Sequence, residues 1–280
     1  MSLAQSPIAV IGAGLSGLVC ASKWMQKGHR VEVFDKARGP GGRMATRRRE
    51  TSTFEHGAPV FCATRTDFEH QLLEWKQAGC VDVWRGRFGR IDGQGLRVDP
   101  EAKERWVGLP KMNSITRFLC AGKTIHWSAR VSALERTNGA WFLELESGKK
   151  MGPYSAVVLT CPGPQAEALA PEDSPVHQRA AELMYRPCWA WMAEFEDRLP
   201  VEFDGIASDQ GNLSWMCRDS SKPGRPAGER WVVHASTQFS EANLEATPAE
   251  IVEWIAQEFE VRFGARSVSS MTHRWRYASA

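Results

Sequence analysis

Three glycines near the start of the chain are spaced for close contact with phosphate groups. They lie in Gly12-Ala13-Gly14-Leu15-Ser16-Gly17, and Asp35 follows eighteen residues after the last of them. In this pattern Gly12 permits a tight turn, Gly14 lets the backbone approach a pyrophosphate, and Gly17 lets a helix pack close to a strand. Asp35 is then placed to accept hydrogen bonds from an adenosine ribose. The spacing predicts a dinucleotide site but does not say which dinucleotide binds.

The residues around these glycines predict the elements that position them. Ile8–Ile11 is a short apolar run typical of a buried parallel strand. Helical spacing runs from Leu15 to Lys27, and Gly28 follows as a left-handed terminator. His29–Phe34 then predicts a second strand that ends at the acid. The helix therefore begins at Leu15 and Ser16, where its N–H groups and dipole would face the phosphates.

Composition excludes several classes of protein. The 280 residues carry 35 Lys and Arg against 33 Asp and Glu, a net charge of +2, which is too small to indicate a nucleic-acid partner. The dense basic run at 47–49 is interpreted as a solvated loop or strand edge rather than a polyanion site. Seven scattered cysteines without a C-x-x-C pair argue against disulfides and zinc. With no bilayer-length apolar run and no signal peptide, we expect a cytoplasmic protein that binds no membrane.

A second motif selects the cofactor. The stretch from Asp35 to Met44 contains Lys36 and ends in Gly41-Gly42-Arg43-Met44. It cannot continue as the helix of a plain NAD domain, because three glycines and a proline fall within residues 39–42. It resembles the G-G-R segment of the amine-oxidase and protoporphyrinogen-oxidase group of flavoproteins. That resemblance implies FAD, with Arg43 and its neighbours along the pyrophosphate and ribityl chain.

Further segments are similar to the renalase group and its bacterial relatives. They follow in order along nearly the whole chain: Phe34-Asp35-Lys36, Gly41-Gly42-Arg43-Met44, His56-Gly57-Ala58, the stretch from Gly108 to Ile115, Ser221-Lys222-Pro223-Gly224-Arg225, and the stretch from His273 to Tyr277. The resemblance implies non-covalent FAD and a mixed α/β fold, with a Rossmann-like FAD-binding domain and a substrate domain built on a mixed β-sheet. We place the FAD-binding domain at residues 1–60 and 105–165, and the substrate domain at 61–104 and 166–280.

The same resemblance implies an activity. Renalases oxidise dihydronicotinamide isomers of NAD(P)H by hydride transfer to the flavin and pass the electrons to O₂, which gives H₂O₂. Such hydride transfer requires an oriented substrate in a site that excludes water, but no dedicated acid or base. No catalytic residue is therefore assigned. A small-molecule dihydronicotinamide dinucleotide and O₂ are therefore the expected partners. The resemblance also places a backbone segment near Val131 beside the adenine.

Two features depart from the renalase pattern. Relatives carry Gln and an aromatic residue beside the flavin, where this chain has Pro59 and Val60. Because proline has no N–H, a hydrogen bond to the flavin there must use a carbonyl or be lost. Relatives also continue past the segment matching His273–Tyr277 with a helix that faces the flavin. Its absence here leads us to expect a weaker cradle for the flavin, in a truncated or a degenerate member of the group.

Other residues that could do chemistry have simpler interpretations. Cys161 is interpreted as an inert buried thiol, and His56 and His234 as hydrogen-bonded structural histidines. Lys222 and Arg225 could meet substrate phosphates, but an ordinary solvated loop is the favoured interpretation. Capping boxes predict helices from Thr66 and Thr247, and Asn138-Gly139 predicts a hairpin turn.

Three alternatives to a renalase-like oxidase are kept. The first is a flavin amine oxidase, although neither an aromatic cage nor a lysine for a bound water is evident in the sequence. The second is a catalytically impaired or non-catalytic nucleotide-binding protein, for which the missing C-terminal segment argues. The third, a nicotinamide-dependent dehydrogenase, is disfavoured by the G-G-R segment.

Overall fold

A computed structural model describes residues 6–50, 52–99 and 103–280. The helices are α1 (Leu15–Gln26), α2 (Thr66–Gln77), α3 (Ser114–Leu119), α4 (Gly163–Glu167), α5 (Pro175–Ala181), α6 (Thr237–Ala242) and α7 (Pro248–Phe263). The strands are β1 (Ile8–Ile11), β2 (Val31–Phe34), β3 (Arg47–Arg48), β4 (Thr53–Phe54), β5 (Val81–Val83), β6 (Phe88–Asp92), β7 (Gly95–Val98), β8 (Trp106–Gly108), β9 (Thr124–His126), β10 (Val131–Thr137), β11 (Ala140–Leu145), β12 (Lys150–Tyr154), β13 (Ala156–Leu159), β14 (Arg186–Phe195), β15 (Gly205–Ser208), β16 (Leu213–Arg218), β17 (Glu229–Ala235) and β18 (Ser269–Ser279).

The chain divides into two compact units. Unit 1 comprises Met1–Arg43, Ile115–Met184 and Ala280, and unit 2 comprises Met44–Ser114 and Tyr185–Ser279. The residues at 44–60 group with unit 2 because β4 lies against β17, and the His56 carbonyl accepts a hydrogen bond from Trp275. The domains predicted from the sequence were defined by which residues bind the cofactor and which bind the substrate. The two compact units do not test that division, so the predicted bounds stay a prediction.

Unit 1 is built on a parallel sheet in the order β13-β1-β2-β9. All four residues of β1 are buried, as expected for a strand with a parallel neighbour on each side. A second, antiparallel sheet joins β10, β11 and β12, and the predicted Asn138-Gly139 turn links its first two strands with positive φ at both residues. Side chains from the two sheets share one core, which includes Phe34, Leu143 and Tyr154.

Unit 2 is built on a mixed seven-stranded sheet in the order β18-β14-β17-β16-β15-β6-β7. Its pairs are antiparallel except β15 with β6, which is parallel. The predicted capping box at Thr247 is present and begins α7, whose Ile251, Ile255 and Phe259 are buried against the sheet. The Rossmann-like unit and the mixed sheet together confirm the predicted fold class.

One predicted capping box is wrong. α2 begins at Thr66 itself, so Arg65 occupies the N-cap position and no side chain caps the helix. The Asp67 carboxylate pairs instead with the Arg65 guanidinium at 3.1 Å, and that local ion pair replaces the expected cap. Leu72 and Trp75 of the predicted apolar face are nevertheless buried.

Two kinds of feature are absent from the described residues. No helix there is long and apolar enough to cross a bilayer. Within the same ranges, no group of three or more His, Cys, Asp or Glu side chains is arranged to hold a metal ion.

Candidate cofactor site

The predicted glycine turn connects β1 to α1 in unit 1. Gly12 has φ of +114°, a conformation that side-chain-bearing residues rarely adopt. A Cβ on Gly17 would lie 1.9 Å from the Gly12 carbonyl oxygen, so only glycine lets the helix start this close to the strand. Both roles predicted for these two glycines are confirmed by the backbone.

The second glycine segment lies directly against the first. Gly14 and Gly41 form an isolated parallel bridge, and the Gly41 N–H donates to the Ala13 carbonyl at 3.3 Å. A Cβ on Gly42 would lie 3.3 Å from the Gly14 Cα, while a Cβ on Gly14 would meet nothing closer than 4.0 Å. The backbones of the two motifs are therefore in contact, although Gly12 and Gly41 are twenty-nine residues apart in sequence. That arrangement leaves the N-terminus of α1, whose N-cap Gly14 has no side chain, open to a ligand.

Asp35 stands at the end of β2 beside the glycine turn. One carboxylate oxygen accepts the Ala13 N–H at 2.6 Å, and the other accepts the Ala37 N–H at 2.7 Å. An ionised carboxylate offers about four acceptor positions, so about two remain for ribose hydroxyls. The two backbone hydrogen bonds fix the orientation of the carboxylate before any ligand arrives.

The segment before β10 brings Val131 to the same region. The Ser128 N–H donates to the Ala37 carbonyl and the Ala129 N–H donates to the Asp35 carbonyl, both at 2.9 Å. Val131 then begins β10 and is 8% exposed. The chain therefore passes next to the loop after Asp35, which is where the family resemblance places the adenine.

The remaining predicted residues have less definite roles. Leu15 and Ser16 form the first turn of α1, and Lys36 is exposed with its Nζ 3.5 Å from the Gln165 side chain. Arg43 is exposed on a short 3-10 helix, Gly42–Met44. Met44, Pro59 and Val60 belong to unit 2, where Met44 is buried and the other two are half-buried. Their contact with a cofactor stays a prediction.

Sequence reasoning missed Thr160. Its hydroxyl donates to the Ile11 carbonyl at 2.8 Å and lies 3.2 Å from the Gly12 carbonyl, so it holds the glycine turn from the neighbouring strand. A Cβ on Gly12 would lie 2.6 Å from this hydroxyl. The signal was present, because Thr160 follows β13 at the carboxyl edge of the parallel sheet, where ligands of such folds bind.

The residues of unit 1 fit a dinucleotide. A glycine cradle without Cβ atoms, an uncapped helix N-terminus and an oriented carboxylate are the parts such a ligand needs. The nearby Cys161 is half-buried, and burial raises the pKa of its thiol, so the interpretation as an unreactive thiol stands.

A cluster of histidines occupies unit 2. The His56 ring is 4% exposed, stacks on Trp275 with centroids 5.0 Å apart, and meets the His273 ring edge-on at 4.7 Å. Burial, and next the charge of His273, lower the pKa of His56 to about 3. Burial likewise lowers the pKa of His234 to about 4, and its Nε2 lies 3.2 Å from the His56 carbonyl. Both rings are therefore neutral at pH 7, as structural histidines would be.

Lys222 and Arg225 are not in a solvated loop, so that interpretation is wrong. The Lys222 side chain is fully buried, with Nζ 2.6 Å from an Asp219 oxygen. Burial is the largest single effect and disfavours its charge, but the charges of Asp219, Cys217 and Glu55 together outweigh burial, and the pKa of Lys222 is raised. Arg225 is also buried, donates to the Gly108 and Pro223 carbonyls, and lies 3.5 Å from Glu55. Neither cation is available to substrate phosphates in this arrangement.

Every buried carboxylate among the described residues has a cationic partner. The pairs and their shortest distances are Glu55 with Arg225 at 3.5 Å, Asp99 with Arg105 at 2.7 Å, Asp219 with Lys222 at 2.6 Å, and Glu229 with Arg218 at 3.0 Å. Burial and then the charge of Asp219 raise the pKa of Glu55, while Arg225 opposes them. All four pairs lie in unit 2, so its interior holds no spare negative charge.

Comparisons with known proteins identify the group. The family of flavin containing amine oxidoreductases matches residues 94–279, and that of NAD(P)-binding Rossmann-like domains matches residues 10–73. A 4,4'-diapophytoene desaturase from Staphylococcus haemolyticus (strain JCSC1435) is 42% identical over 53 residues, which are 19% of this chain. The chain thus matches only 11% of that desaturase's length.

Two solved structures share the fold. A candidate protoporphyrinogen oxidase from Exiguobacterium sp. 255-15 has a TM-score of 0.76 at 13% identity, covering 98% of this chain and 87% of that one. Putrescine oxidase bound to putrescine has a TM-score of 0.72 at 12% identity, covering 96% and 84%. The amine-oxidoreductase match covers more than half of the chain, and the Rossmann-like unit supplies the dinucleotide cradle that FAD requires. The chain therefore belongs to the flavin-containing amine oxidoreductase family of FAD-dependent oxidoreductases.

Proposed function

We propose that this protein is a renalase-like oxidase that takes a hydride from dihydronicotinamide isomers of NAD(P)H. Bound FAD would accept the hydride and, by reducing O₂ with uptake of a proton, return to its oxidised form with release of H₂O₂. The products are NAD(P)⁺ and peroxide. The resemblance of the chain to the renalase group is the origin of this proposal, and the charges of unit 2 favour it over its main alternative.

The distribution of charge in unit 2 is the observation that carries the proposal. An amine substrate is a cation near neutral pH, and a buried cation needs a carboxylate partner. The four buried carboxylates are already paired with protein cations. The dihydronicotinamide ring, which is the part of the substrate that must reach the flavin, is uncharged and makes no such demand. The interior therefore favours a dihydronicotinamide over an ammonium substrate.

The residues of unit 1 have one task in this function. Asp35, oriented by its two backbone hydrogen bonds, would hold the ribose of the cofactor, and the N-terminus of α1 would hold its phosphates. The pKa values of His56 and His234, about 3 and about 4, are too low for efficient general-base catalysis near neutral pH, which is consistent with a reaction that requires no such base.

A flavin amine oxidase is the second candidate, and the family match favours it. The amine-oxidoreductase family covers residues 94–279, and putrescine oxidase shares the fold. Such an activity requires a binding site for the amine other than the four buried carboxylates.

Rapid mixing without oxygen separates the candidates. The FAD-loaded protein is mixed with 2- or 6-dihydro-NAD, with ordinary 1,4-NADH, or with putrescine, and the flavin absorbance is followed. We expect bleaching by the dihydro isomers and, once air is admitted, formation of peroxide equal to substrate consumed. Bleaching by putrescine alone would establish the amine oxidase instead. Protein that stays colourless after addition of FAD would support the non-catalytic nucleotide-binding alternative, and cell fractionation tests the predicted cytoplasmic location.

A further inference from the structure

A groove of about 420 Å³ lies beside the β3–β4 hairpin of unit 2. Its lining residues are Arg48, Arg49, Glu50, Ser52, Thr53, Lys111 and Pro226. This volume lies within the range of about 300–1,000 Å³ usual for small-molecule sites. The groove contains most of the basic run at 47–49, to which the proposed function gives no role.

The groove carries an excess of positive charge. Three of its lining side chains are cations, Arg48, Arg49 and Lys111, and only Glu50 is an acid. Across residues 6–50, 52–99 and 103–280, none of the three cations forms an ion pair with a carboxylate. They differ in this from the buried cations Arg218, Lys222 and Arg225, each of which is paired with a carboxylate. Three like charges held together repel one another unless an anion joins them.

The hairpin holds these cations in defined places. Successive residues of a strand point to opposite faces, so Arg48 lines the groove while Arg47 acts electrostatically on the rings of His56 and His273. The Arg49 N–H donates to the Ser52 carbonyl at 2.8 Å, which closes the end of the hairpin. The Arg49 guanidinium donates to the Ser269 hydroxyl at 2.5 Å. Arg49 is thus held in position while several of its five N–H donors stay available.

Ser52 supplies an independent observation. The residue is 7% exposed, lines the groove, and its hydroxyl has no hydrogen-bond partner among the described residues. A buried hydroxyl without a partner costs about 1–3 kcal/mol, and such a group calls for a ligand or another cause. An oxyanion among the cations would accept its proton.

We propose that this groove binds the phosphate group of a small phosphorylated molecule. Two guanidinium groups and one ammonium present donors only, two hydroxyls can each donate as well, and guanidinium forks match the geometry of phosphate oxygens. The size of the groove and the small net charge of the chain fit a metabolite and not a nucleic acid. This site does not depend on the proposed oxidase activity, since any phosphate-bearing molecule of suitable size satisfies it.

Calorimetric titration with inorganic pyrophosphate tests the site. The protein is saturated with FAD first, so that the predicted pyrophosphate cradle of unit 1 is filled. We expect binding of one pyrophosphate, weakened about tenfold or more by Arg48→Gln or Lys111→Gln, because each removes a charge-assisted hydrogen bond. Lys149→Gln is the matched control, since it removes one charge from the exposed turn between β11 and β12 and should leave the affinity unchanged.

Three results would overturn the proposal. One is the absence of binding at millimolar pyrophosphate, and another is equal affinity in wild type, Arg48→Gln and Lys111→Gln, each shown to be folded by circular dichroism. A loss in Lys149→Gln as large as in the groove variants would likewise overturn it, because binding would then follow net charge. Repeating the titration in saturating NAD⁺ identifies the source of the phosphate: competition assigns the groove to a dinucleotide, and undiminished binding assigns it to a separate phosphorylated ligand. The proposal is supported in both cases, and neither depends on flavin reduction.

Discussion

The Gly14→Ala substitution should weaken FAD binding and leave the fold intact. The Gly14 backbone has φ of −78° and ψ of −179°, which alanine adopts without strain. The nearest atom to the new methyl group is the Gly42 Cα at 4.0 Å, an ordinary van der Waals contact. We therefore expect the free energy of unfolding of the apoprotein to change by about 0.5 kcal/mol or less, or to rise slightly through the unfolded state.

The substitution should instead lower the affinity of the protein for FAD. The added methyl group lies where a pyrophosphate must approach the backbone at the start of α1. Overpacking by one methyl group costs about 1–3 kcal/mol, which corresponds to a roughly 5- to 150-fold loss of FAD affinity. Quenching of FAD fluorescence during titration of the apoprotein measures this loss, and thermal unfolding of the same samples measures stability.

Two further glycine variants make the result interpretable. In Gly17→Ala the new Cβ would lie 1.9 Å from the Gly12 carbonyl oxygen, so both stability and FAD binding should fall. Gly93→Ala, in the turn between β6 and β7, meets only the Gln210 side chain at 3.8 Å and should change neither. If folded Gly14→Ala protein binds FAD as tightly as wild type, the assignment of this glycine to the pyrophosphate is refuted.

Three other perturbations have defined outcomes. Asp35→Ala removes the acceptor of two backbone N–H groups, so we expect a loss of about 1–3 kcal/mol of stability together with weaker FAD binding, measured by denaturant unfolding and by titration. His56 has a folded pKa of about 3 against 6.5 for the free ring, so the unfolded state binds a proton first as the pH falls below 6.5. The free energy of unfolding should therefore drop by about 2 kcal/mol between pH 7.5 and pH 5 from this group, and His56→Gln should flatten that part of the pH profile. Arg218→Ala leaves the buried Glu229 and the nearby Asp204 without their cation, so it should cost about 3–5 kcal/mol. Arg218→Met with Glu229→Gln should recover part of that loss in urea unfolding, and an unchanged loss in the double variant would contradict the charge argument.

Much of unit 1 could be predicted because its determinants are local. Positive φ at Gly12, close packing at Gly17 and the Asn138-Gly139 turn depend on backbone geometry within a few residues. The strand at Ile8–Ile11 was predicted to the residue because an apolar run of four bounded by a glycine turn has few alternatives. Thr160 was missed because its role depends on a parallel neighbour 148 residues from Gly12.

The charged interior of unit 2 could not be predicted from the sequence. Lys222 and Arg225 follow a glycine- and proline-rich pattern that normally indicates an exposed loop. Their burial depends on Glu55, which lies 170 residues before Arg225, and on Gly108. Local patterns describe the path of the chain at a loop, whereas tertiary partners decide whether its charges are buried.

The basic run at 47–49 is a second case in which tertiary contacts, and not the local sequence, determine the role of charged residues. Its composition alone indicates a solvated strand edge, and Arg47 and Arg48 are indeed exposed on β3. Two further observations distinguish the run. Lys111, 63 residues after Arg48, lines the same groove, and the buried Ser52 hydroxyl has no partner in the part of the chain that the structure describes. A charge run becomes a candidate site only when a second chain segment adds a like charge to the same cavity, because folding would otherwise separate like charges or pair them with acids. The buried cations Arg218, Lys222 and Arg225 of unit 2 are paired with acids and these three are not, so the contrast within one unit argues that the excess charge has a ligand.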